Sequence, residues 1–298
     1  MTVREEPEQQ RASAWVEVSL LLTVFFFGTN FVAVKLVVHH VPPLLFAASR
    51  FTFAGVLLLS FLRFTEPESR LKRSDLLPIL GLGIIGVTLT QSVFTIGVSL
   101  TTAANTALIY STSPVWGMLL GFFLGFEKPR LTGVLGVALC LAGVGSIVYG
   151  GLDLGGTSLL GDFLILCAAI FWGSYTVLSL GLLKRYSPLA VATYPMILGG
   201  LAAFPLALFG PGGLHVGTLD GNVWFAAVYS TLLSSAFGFA GWQRGVSKIG
   251  ANRVLIYQYL VAVTGVTAGI VLLGESFGFQ QMLGAAVILC GVYLARRR

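Results

Sequence analysis

The stretch Phe25–Lys35 reads FFFGTNFVAVK and places one amide, Asn30, inside an apolar run from about Trp15 to Val38. About 20 apolar residues, at a rise of 1.5 Å each, cross the roughly 30 Å hydrocarbon core of a bilayer, so the run predicts a membrane-spanning helix. Asn30 then lies at membrane depth, where its amide needs a protein partner or a water-filled cavity. Gly28 removes a side chain beside it and allows close backbone approach. The stretch therefore predicts a buried polar pocket.

The composition of the whole chain agrees with a membrane protein. Of 298 residues, 56% are apolar and 10% are charged, and the mean hydropathy is +0.88. Soluble domains carry about 25% charged residues. The pattern predicts an all-α integral membrane protein with ten transmembrane helices, joined by short connections. The ten apolar segments are approximately 15–38, 42–63, 76–98, 101–124, 131–149, 160–182, 188–209, 222–242, 250–272 and 277–295.

Positive charges fall on alternate connections between these segments. Sixteen of the eighteen Lys and Arg residues lie on the tails or after even-numbered segments, and the other two, Lys35 and Arg50, lie within segments. Because cytoplasmic loops collect Lys and Arg, this predicts ten spans, a cytoplasmic tail over residues 1–14 and a cytoplasmic C-terminus. The net charge of +6 is then a topology signal rather than a nucleic-acid-binding surface.

The chain contains an internal repeat. Phe27-Gly28-Thr29-Asn30 corresponds to Trp172-Gly173-Ser174-Tyr175 at an offset of 145, and Asn105–Tyr110 corresponds to Asn252–Tyr257. Each unit has five segments, an odd number, so the second unit is predicted to be inverted relative to the first. We place the two repeats at residues 1–152 and 153–298. Inverted repeats around a site near the membrane midplane are typical of secondary transporters.

Several short motifs accompany the ten segments and the repeat. They are Gly28-x-Asn30-Phe31, Arg50-Phe51, Ser113-Pro114-Val115, Gly125-Phe126-Glu127, Phe171-Trp172-Gly173-Ser174 and Leu273-Gly274-Glu275. Together, these features resemble the EamA family of the drug/metabolite transporter superfamily from about Trp15 to Ala295. The resemblance extends to bacterial aromatic amino-acid exporters of this family. It implies a basket-like bundle with a central cavity, export of small metabolites and location in the bacterial inner membrane. Val261 replaces the family proline that aligns with Pro114, which removes the basis for expecting a bend in the ninth segment.

Polar and aromatic residues at membrane depth form the candidate site. Asn30 either binds a substrate or joins helices by hydrogen bonds. Phe27, Trp172 and Tyr257 are expected to hold an aromatic ring, while other polar side chains hold the polar end of the cargo. The predicted substrate-binding residues are Phe27, Asn30, Gln91, Tyr110, Trp172, Tyr175, Tyr257 and Gln258.

Four charged residues near the membrane are assigned a gating or structural role: Lys35, Arg50, Asp162 and Glu275. Arg50 lies eight residues beyond Pro42, about 12 Å into the membrane. A cation at that depth costs about 2.5–3.5 kcal/mol, so it needs water or a partner. Arg50 is expected to cap carbonyls or to pair with Glu275 or Asp162, with binding of a substrate carboxylate as the alternative. Lys35 is expected to reach solvent.

The favoured function is a secondary transporter that exports amino acids, aromatic ones preferred, by alternating access through a cavity lined by segments 1, 3, 4, 6, 8 and 9. The alternatives are a multidrug or sugar-nucleotide transporter and, in another class, a membrane sensor or scaffold. An enzyme is not expected, because no deep histidine, carboxylate pair or nucleophile dyad is present. The expected partners are a small-molecule substrate and lipid. No cofactor, metal, nucleic acid or ATPase subunit is expected, and the absence of a midplane carboxylate predicts movement down a gradient.

Overall fold

The computed structural model describes residues 6–125, 131–150, 157–208 and 219–296. These ranges are helical and contain no strand, which confirms the all-α prediction. The helices are α1 (Glu6–Val38), α2 (Pro43–Thr65), α3 (Arg73–Leu100), α4 (Ala103–Phe123), α5 (Leu131–Gly150), α6 (Thr157–Leu183), α7 (Pro188–Leu208), α8 (Gly221–Ile249), α9 (Ala251–Leu273) and α10 (Phe279–Arg296). The predicted repeat boundary at 152/153 lies outside the described residues.

Eight of the helices in these ranges are long and apolar enough to cross a membrane. The other two, α5 and α10, contain shorter apolar stretches, Val134–Ile147 and Phe279–Gly291. That all ten cross the membrane, and that the second repeat is inverted, stay predictions.

Glycines bring helices of the two halves together in matched pairs. A Cβ atom added to Gly28 of α1 would lie 2.9 Å from the carbonyl oxygen of Val261 on α9. In the corresponding place of the second half, a Cβ on Gly173 of α6 would lie 2.8 Å from the backbone nitrogen of Gly117 on α4. Each site has room only for glycine's hydrogen, which lets the backbones approach closely.

The same exchange relates α5 and α10. A Cβ on Gly143 would lie 2.8 Å from the carbonyl oxygen of Gly284, and a Cβ on Gly291 would lie 2.7 Å from that of Gly136. Gly136 and Gly284 correspond in the repeat at an offset of 148, as do Gly143 and Gly291. Exchanging each glycine for its counterpart turns the contact between Gly143 and Gly284 into the contact between Gly291 and Gly136, which is the pattern of two repeats related by a two-fold exchange.

Four helices are interrupted, and they are corresponding helices of the two halves, α3 with α8 and α4 with α9. In α3 and α8 the backbone forms π-helical segments, Ile84–Leu89 and Ser230–Gly238. In α4 the helix breaks between Tyr110 and Ser113, ahead of Pro114, which has no backbone N–H to donate. Such segments often mark functional sites, because they redirect side chains away from the regular helical face.

The ninth helix is also broken, although it lacks the proline. It consists of Ala251–Val254 and Tyr257–Leu273. Between them, the amides of Gln258 and Tyr259 donate to carbonyl oxygens three residues back, at 3.2 and 3.1 Å, which is the bonding of a 3₁₀ turn. The break thus coincides with a tightened turn, and the replacement by Val261 does not prevent it.

The close contact between α4 and α6 predicts a position-dependent effect of alanine. Gly173→Ala is expected to lower the free energy of unfolding by about 1–3 kcal/mol, because the added methyl group overpacks the contact with Gly117. Gly181→Ala, on the same helix with no atom within 4 Å of the added Cβ, is the matched control. Its higher helix propensity should leave stability unchanged or raise it by up to about 1 kcal/mol. Thermal unfolding in detergent measures both, and equal melting temperatures would contradict the packing described here.

Candidate functional site

A small cavity lies at the seam between the two halves, lined by residues of α1, α2, α3, α4, α6, α8 and α9. Its lining combines seven aromatic residues with five polar ones. The volume of the cavity is about 40 Å³, which is room for a few water molecules. The lining residues are Phe27, Asn30, Phe31, Arg50, Phe51, Gln91, Phe94, Tyr110, Trp172, Ser234, Phe239, Gln258 and Val261.

The structure brings together six of the eight residues proposed to bind substrate: Phe27, Asn30, Gln91, Tyr110, Trp172 and Gln258. The other two do not line the cavity. Tyr175 is buried behind the wall and stacks on Trp172, with ring centroids 5.4 Å apart. Tyr257 corresponds to Tyr110 in the repeat, but it follows the break in α9 whereas Tyr110 precedes the break in α4. The two tyrosines therefore do not share an environment. The helices lining the cavity match those expected, with α2 added through Arg50 and Phe51.

The aromatic wall is built from both halves. The ring of Phe27 on α1 lies 5.8 Å from that of Trp172 on α6 and 6.0 Å from that of Phe239 on α8, both edge to face. Tyr110 on α4 closes the wall 6.4 Å from Trp172. Such offset and edge-to-face pairs stabilise an aromatic cluster beyond the burial of its area. The wall offers flat apolar surfaces on which another ring can pack.

A chain of hydrogen bonds runs through the polar part of the cavity. Nη1 of Arg50 donates to Oγ of Ser230 at 2.7 Å, and that hydroxyl donates to Oδ1 of Asn30 at 2.5 Å. Nη2 of Arg50 donates to Oε1 of Gln91 at 2.9 Å. The guanidinium carbon also lies 4.6 Å from the ring centroid of Phe51, within cation–π range. The chain joins α1, α2, α3 and α8, and so connects the two halves.

The expectation that Arg50 pairs with Glu275 or Asp162 is wrong. Arg50 is 2% exposed, and its hydrogen-bond partners are the neutral side chains of Ser230 and Gln91. The two carboxylates are engaged elsewhere, at the ends of α9 and α6. Position 50 instead faces the π-helical part of α8, which presents Ser230 to it.

Sequence reasoning missed Ser230, Ser234, Phe94 and Phe239. Ser230 and Ser234 lie in the π-helical segment, where Oγ of Ser235 donates to the carbonyl oxygen of Ser230 five residues earlier at 3.0 Å. Three serines within six residues of an apolar segment are a polar signal that the sequence does carry. The two phenylalanines had no signal that set them apart from other apolar residues in their helices.

Lys35, Thr101, Asp162 and Glu275 form a partly buried network that we name the Lys35 cluster. Nζ of Lys35 donates to Oε1 of Glu275 at 3.1 Å and to the carbonyl oxygen of Thr101 at 2.7 Å. The Thr101 hydroxyl donates to Asp162 at 2.6 Å. Lys35 was expected to be solvated, and that expectation is wrong: the ammonium is drawn to Glu275, and its side chain is 18% exposed.

The carboxylate of Glu275 is held by backbone N–H groups at the N-terminus of α4. Its Oε1 accepts from the backbone N–H of Ala103 at 2.8 Å and its Oε2 from that of Ala104 at 2.9 Å. The first N–H groups of a helix have no partner within the helix and favour negative charge. A carboxylate from the end of α9 thus caps a helix of the other half.

A second cluster lies at the opposite end of α3, and we name it the Asp75 cluster. Asp75 accepts from the guanidinium of Arg185 and, at 2.7 Å, from the hydroxyl of Tyr186. Desolvation, together with the hydrogen bond to Asp75, raises the pKa of Tyr186, so this phenol stays protonated and remains a donor. The cluster joins the start of α3 to the connection between α6 and α7. Each end of the bundle therefore carries a charged contact between the halves.

The comparisons with known proteins agree with this fold. The model of the EamA-like transporter family matches residues 14–149 and 159–297, one match in each half. The uncharacterized transporter YetK of Bacillus subtilis is 30% identical over 93% of this chain and 85% of its own length. A protein of Salmonella typhimurium named "Probable amino-acid metabolite efflux pump" is 25% identical over 92% of both chains. One solved crystal structure, 20% identical, covers 95% of this chain and 96% of its own with a TM-score of 0.65. The chain belongs to the EamA-like transporter family.

Proposed function

We propose that the chain is a secondary transporter that exports small metabolites, with amino acids as cargo and aromatic ones preferred. The observation that carries this proposal is the cavity at the seam, where an aromatic wall from both halves faces a chain of amides and one guanidinium. Such a lining suits a molecule with a ring at one end and polar groups at the other. The name of the Salmonella relative, an efflux pump for amino-acid metabolites, supports the same class of cargo.

Alternating access follows from the arrangement of the repeats. We infer ten spans in the bacterial inner membrane, with both termini cytoplasmic and the second repeat inverted. The reciprocal glycine contacts support this, because an odd number of spans in each of two exchange-related repeats gives opposite orientations. Exchanging the conformations of the two halves then converts an inward-open transporter into an outward-open one.

From the size of the cavity we infer which step of the transport cycle this conformation represents. Ligand sites have volumes of about 300–1,000 Å³, whereas the volume of this cavity is about 40 Å³. An amino acid therefore enters only after one end opens. We infer that the Lys35 cluster and the Asp75 cluster are the two gates, each of which must part to admit cargo from its side.

The charges in the cavity indicate what drives transport and which other kinds of cargo fit. Among the described residues, no carboxylate lines the cavity, so we infer movement down a gradient of the cargo itself. A sugar nucleotide carries two or more phosphate charges, and a single buried cation, Arg50, is a poor match for it. We therefore favour cargo with one polar end over nucleotide cargo.

Transport in proteoliposomes tests the function. Purified protein should move labelled phenylalanine and tryptophan faster than lysine, and a pH gradient should not change the rate. Trp172→Ala should lower phenylalanine flux about tenfold or more, which corresponds to about 1.4 kcal/mol of lost ring contact. Trp224→Ala, at a position 57% exposed on α8, is the matched control and should leave flux unchanged. Equal flux in the two variants would contradict the proposed site.

Removal of one carboxylate tests the gate at the Lys35 end. Glu275→Gln is expected to lower the free energy of unfolding by about 1–3 kcal/mol, because Lys35 loses its counter-ion while still partly buried. Hydrogen–deuterium exchange of a peptide that begins at Leu100 or earlier and ends at Tyr110 should accelerate, because the amides of Ala103 and Ala104 lose a charged acceptor.

The control for this experiment is Glu17→Gln, an exposed carboxylate on α1. In the double variant Lys35→Met with Glu275→Gln, the loss of stability should be smaller than the sum of the single losses by about 0.5 kcal/mol or more. Additive losses, or unchanged exchange at the start of α4, would show that the pair does not hold this end closed.

A further inference from the structure

Arg50 is the one charged residue among the described residues that line the cavity. The two salt bridges found in the described part of the chain join other residues, so its guanidinium has only neutral hydrogen-bond partners, Ser230 and Gln91. A buried cation without a counter-ion is unfavourable, because neutral dipoles replace its hydration incompletely. Entry of an anionic group next to Arg50 therefore lowers the free energy of the site.

Several hydrogen-bond donors of the cavity lining are buried without a partner. Of the five N–H groups of a guanidinium, Arg50 uses one on Nη1 and one on Nη2, and its Nε is buried without a partner. The indole N–H of Trp172 is likewise buried without a partner. The amide oxygens of Asn30 and Gln91 each already accept one hydrogen bond, and the nitrogen of each amide is a further donor.

The acceptors among the described residues that line the cavity are all neutral. Gln258 is the lining residue whose amide oxygen is buried without a partner, and its amide nitrogen is unpartnered too. An ammonium group is purely a donor, whereas a carboxylate is purely an acceptor with about four lone pairs on two oxygens. The one charged group of the described lining, Arg50, is thus a donor that matches a carboxylate. An ammonium group would find only neutral acceptors there, namely amide oxygens, the hydroxyls of Tyr110 and Ser234, and the faces of aromatic rings.

From this imbalance we infer that the cavity selects cargo by a carboxylate that Arg50 binds, and that an ammonium group on the cargo is dispensable. The inference rests on the proposed function, because it requires that cargo passes through this cavity. It widens the cargo class from amino acids to monocarboxylates with an apolar or aromatic body. It also excludes amines that share the same body but lack the carboxylate.

The position of Arg50 supports a direct contact with cargo over a purely structural role. Arg50, which links α2 to α8, also lines the cavity, and its guanidinium contacts the ring of Phe51, another lining residue. A carboxylate bound at Arg50 would leave its apolar body near the rings of Phe27 and Trp172. The carboxylate of such an acid would then contact the polar part of the cavity, and its apolar body would contact the aromatic part.

Three probes that share a phenylethyl skeleton test the inference on the full-length protein. They are L-phenylalanine, 3-phenylpropanoate, which lacks the ammonium group, and phenethylamine, which lacks the carboxylate. Binding is measured by quenching of tryptophan fluorescence and by inhibition of labelled phenylalanine flux in proteoliposomes. We expect 3-phenylpropanoate to bind within about tenfold of phenylalanine, and phenethylamine to bind weaker than 3-phenylpropanoate by about tenfold or more, since charge-assisted hydrogen bonds are the stronger ones.

Variants of the arginine separate its charge from its shape. Arg50→Gln should weaken 3-phenylpropanoate binding about tenfold or more, and Arg50→Lys should keep part of it, because an ammonium retains the charge but loses the planar fork. Arg63→Gln, an exposed arginine on the same helix, is the matched control and should bind like the wild type. If Arg50→Gln does not fold, the three probes on the wild-type protein decide the question.

Two results would overturn the inference: phenethylamine binding as tightly as 3-phenylpropanoate, or Arg50→Gln retaining wild-type affinity for the acid. The outcome is separable from that of the proposed function. If phenylalanine is transported but phenethylamine competes equally well, the function stands and carboxylate selection fails. If phenylalanine is not transported but 3-phenylpropanoate binds through Arg50, carboxylate selection stands and the amino-acid cargo fails.

Discussion

The burial of the Arg50 guanidinium is the constraint around which the centre of the molecule is arranged. A cation at this depth is costly unless protein groups replace its water, and here one partner comes from each half, Gln91 from α3 and Ser230 from α8. Both partners lie at π-helical segments, Gln91 just beyond Leu89 and Ser230 at the start of Ser230–Gly238. The departures from regular helix thus occur where the arginine needs hydrogen-bond acceptors.

Close packing elsewhere allows this polar centre to stay small. Glycines such as Gly28 on α1 and Gly173 on α6 bring helix backbones of the two halves close together, and charged clusters join the halves at both ends. The clusters that contain Glu275 and Asp75 hold the ends by a few directional bonds, which can break and re-form as units.

Much of this could be predicted from sequence, and the failures have physical causes. The repeat and the depth of the polar residues identified Asn30 and Trp172 as cavity residues, because hydropathy and internal symmetry are local signals. Ser230 was missed because a π-helical segment changes which residues share a face, so helical periodicity misassigns them. The pairing of Lys35 with Glu275 joins positions 240 residues apart, and no local pattern encodes which of several charges meet.

A structure of the protein crystallised with 3-phenylpropanoate would test the central claim most directly. We expect a carboxylate oxygen about 2.7–2.9 Å from a guanidinium nitrogen of Arg50, the distance of a charge-assisted hydrogen bond, with the phenyl ring against Trp172. A ligand bound away from the seam, with Arg50 still bonded only to Ser230 and Gln91, would contradict the claim that this arginine anchors the cargo.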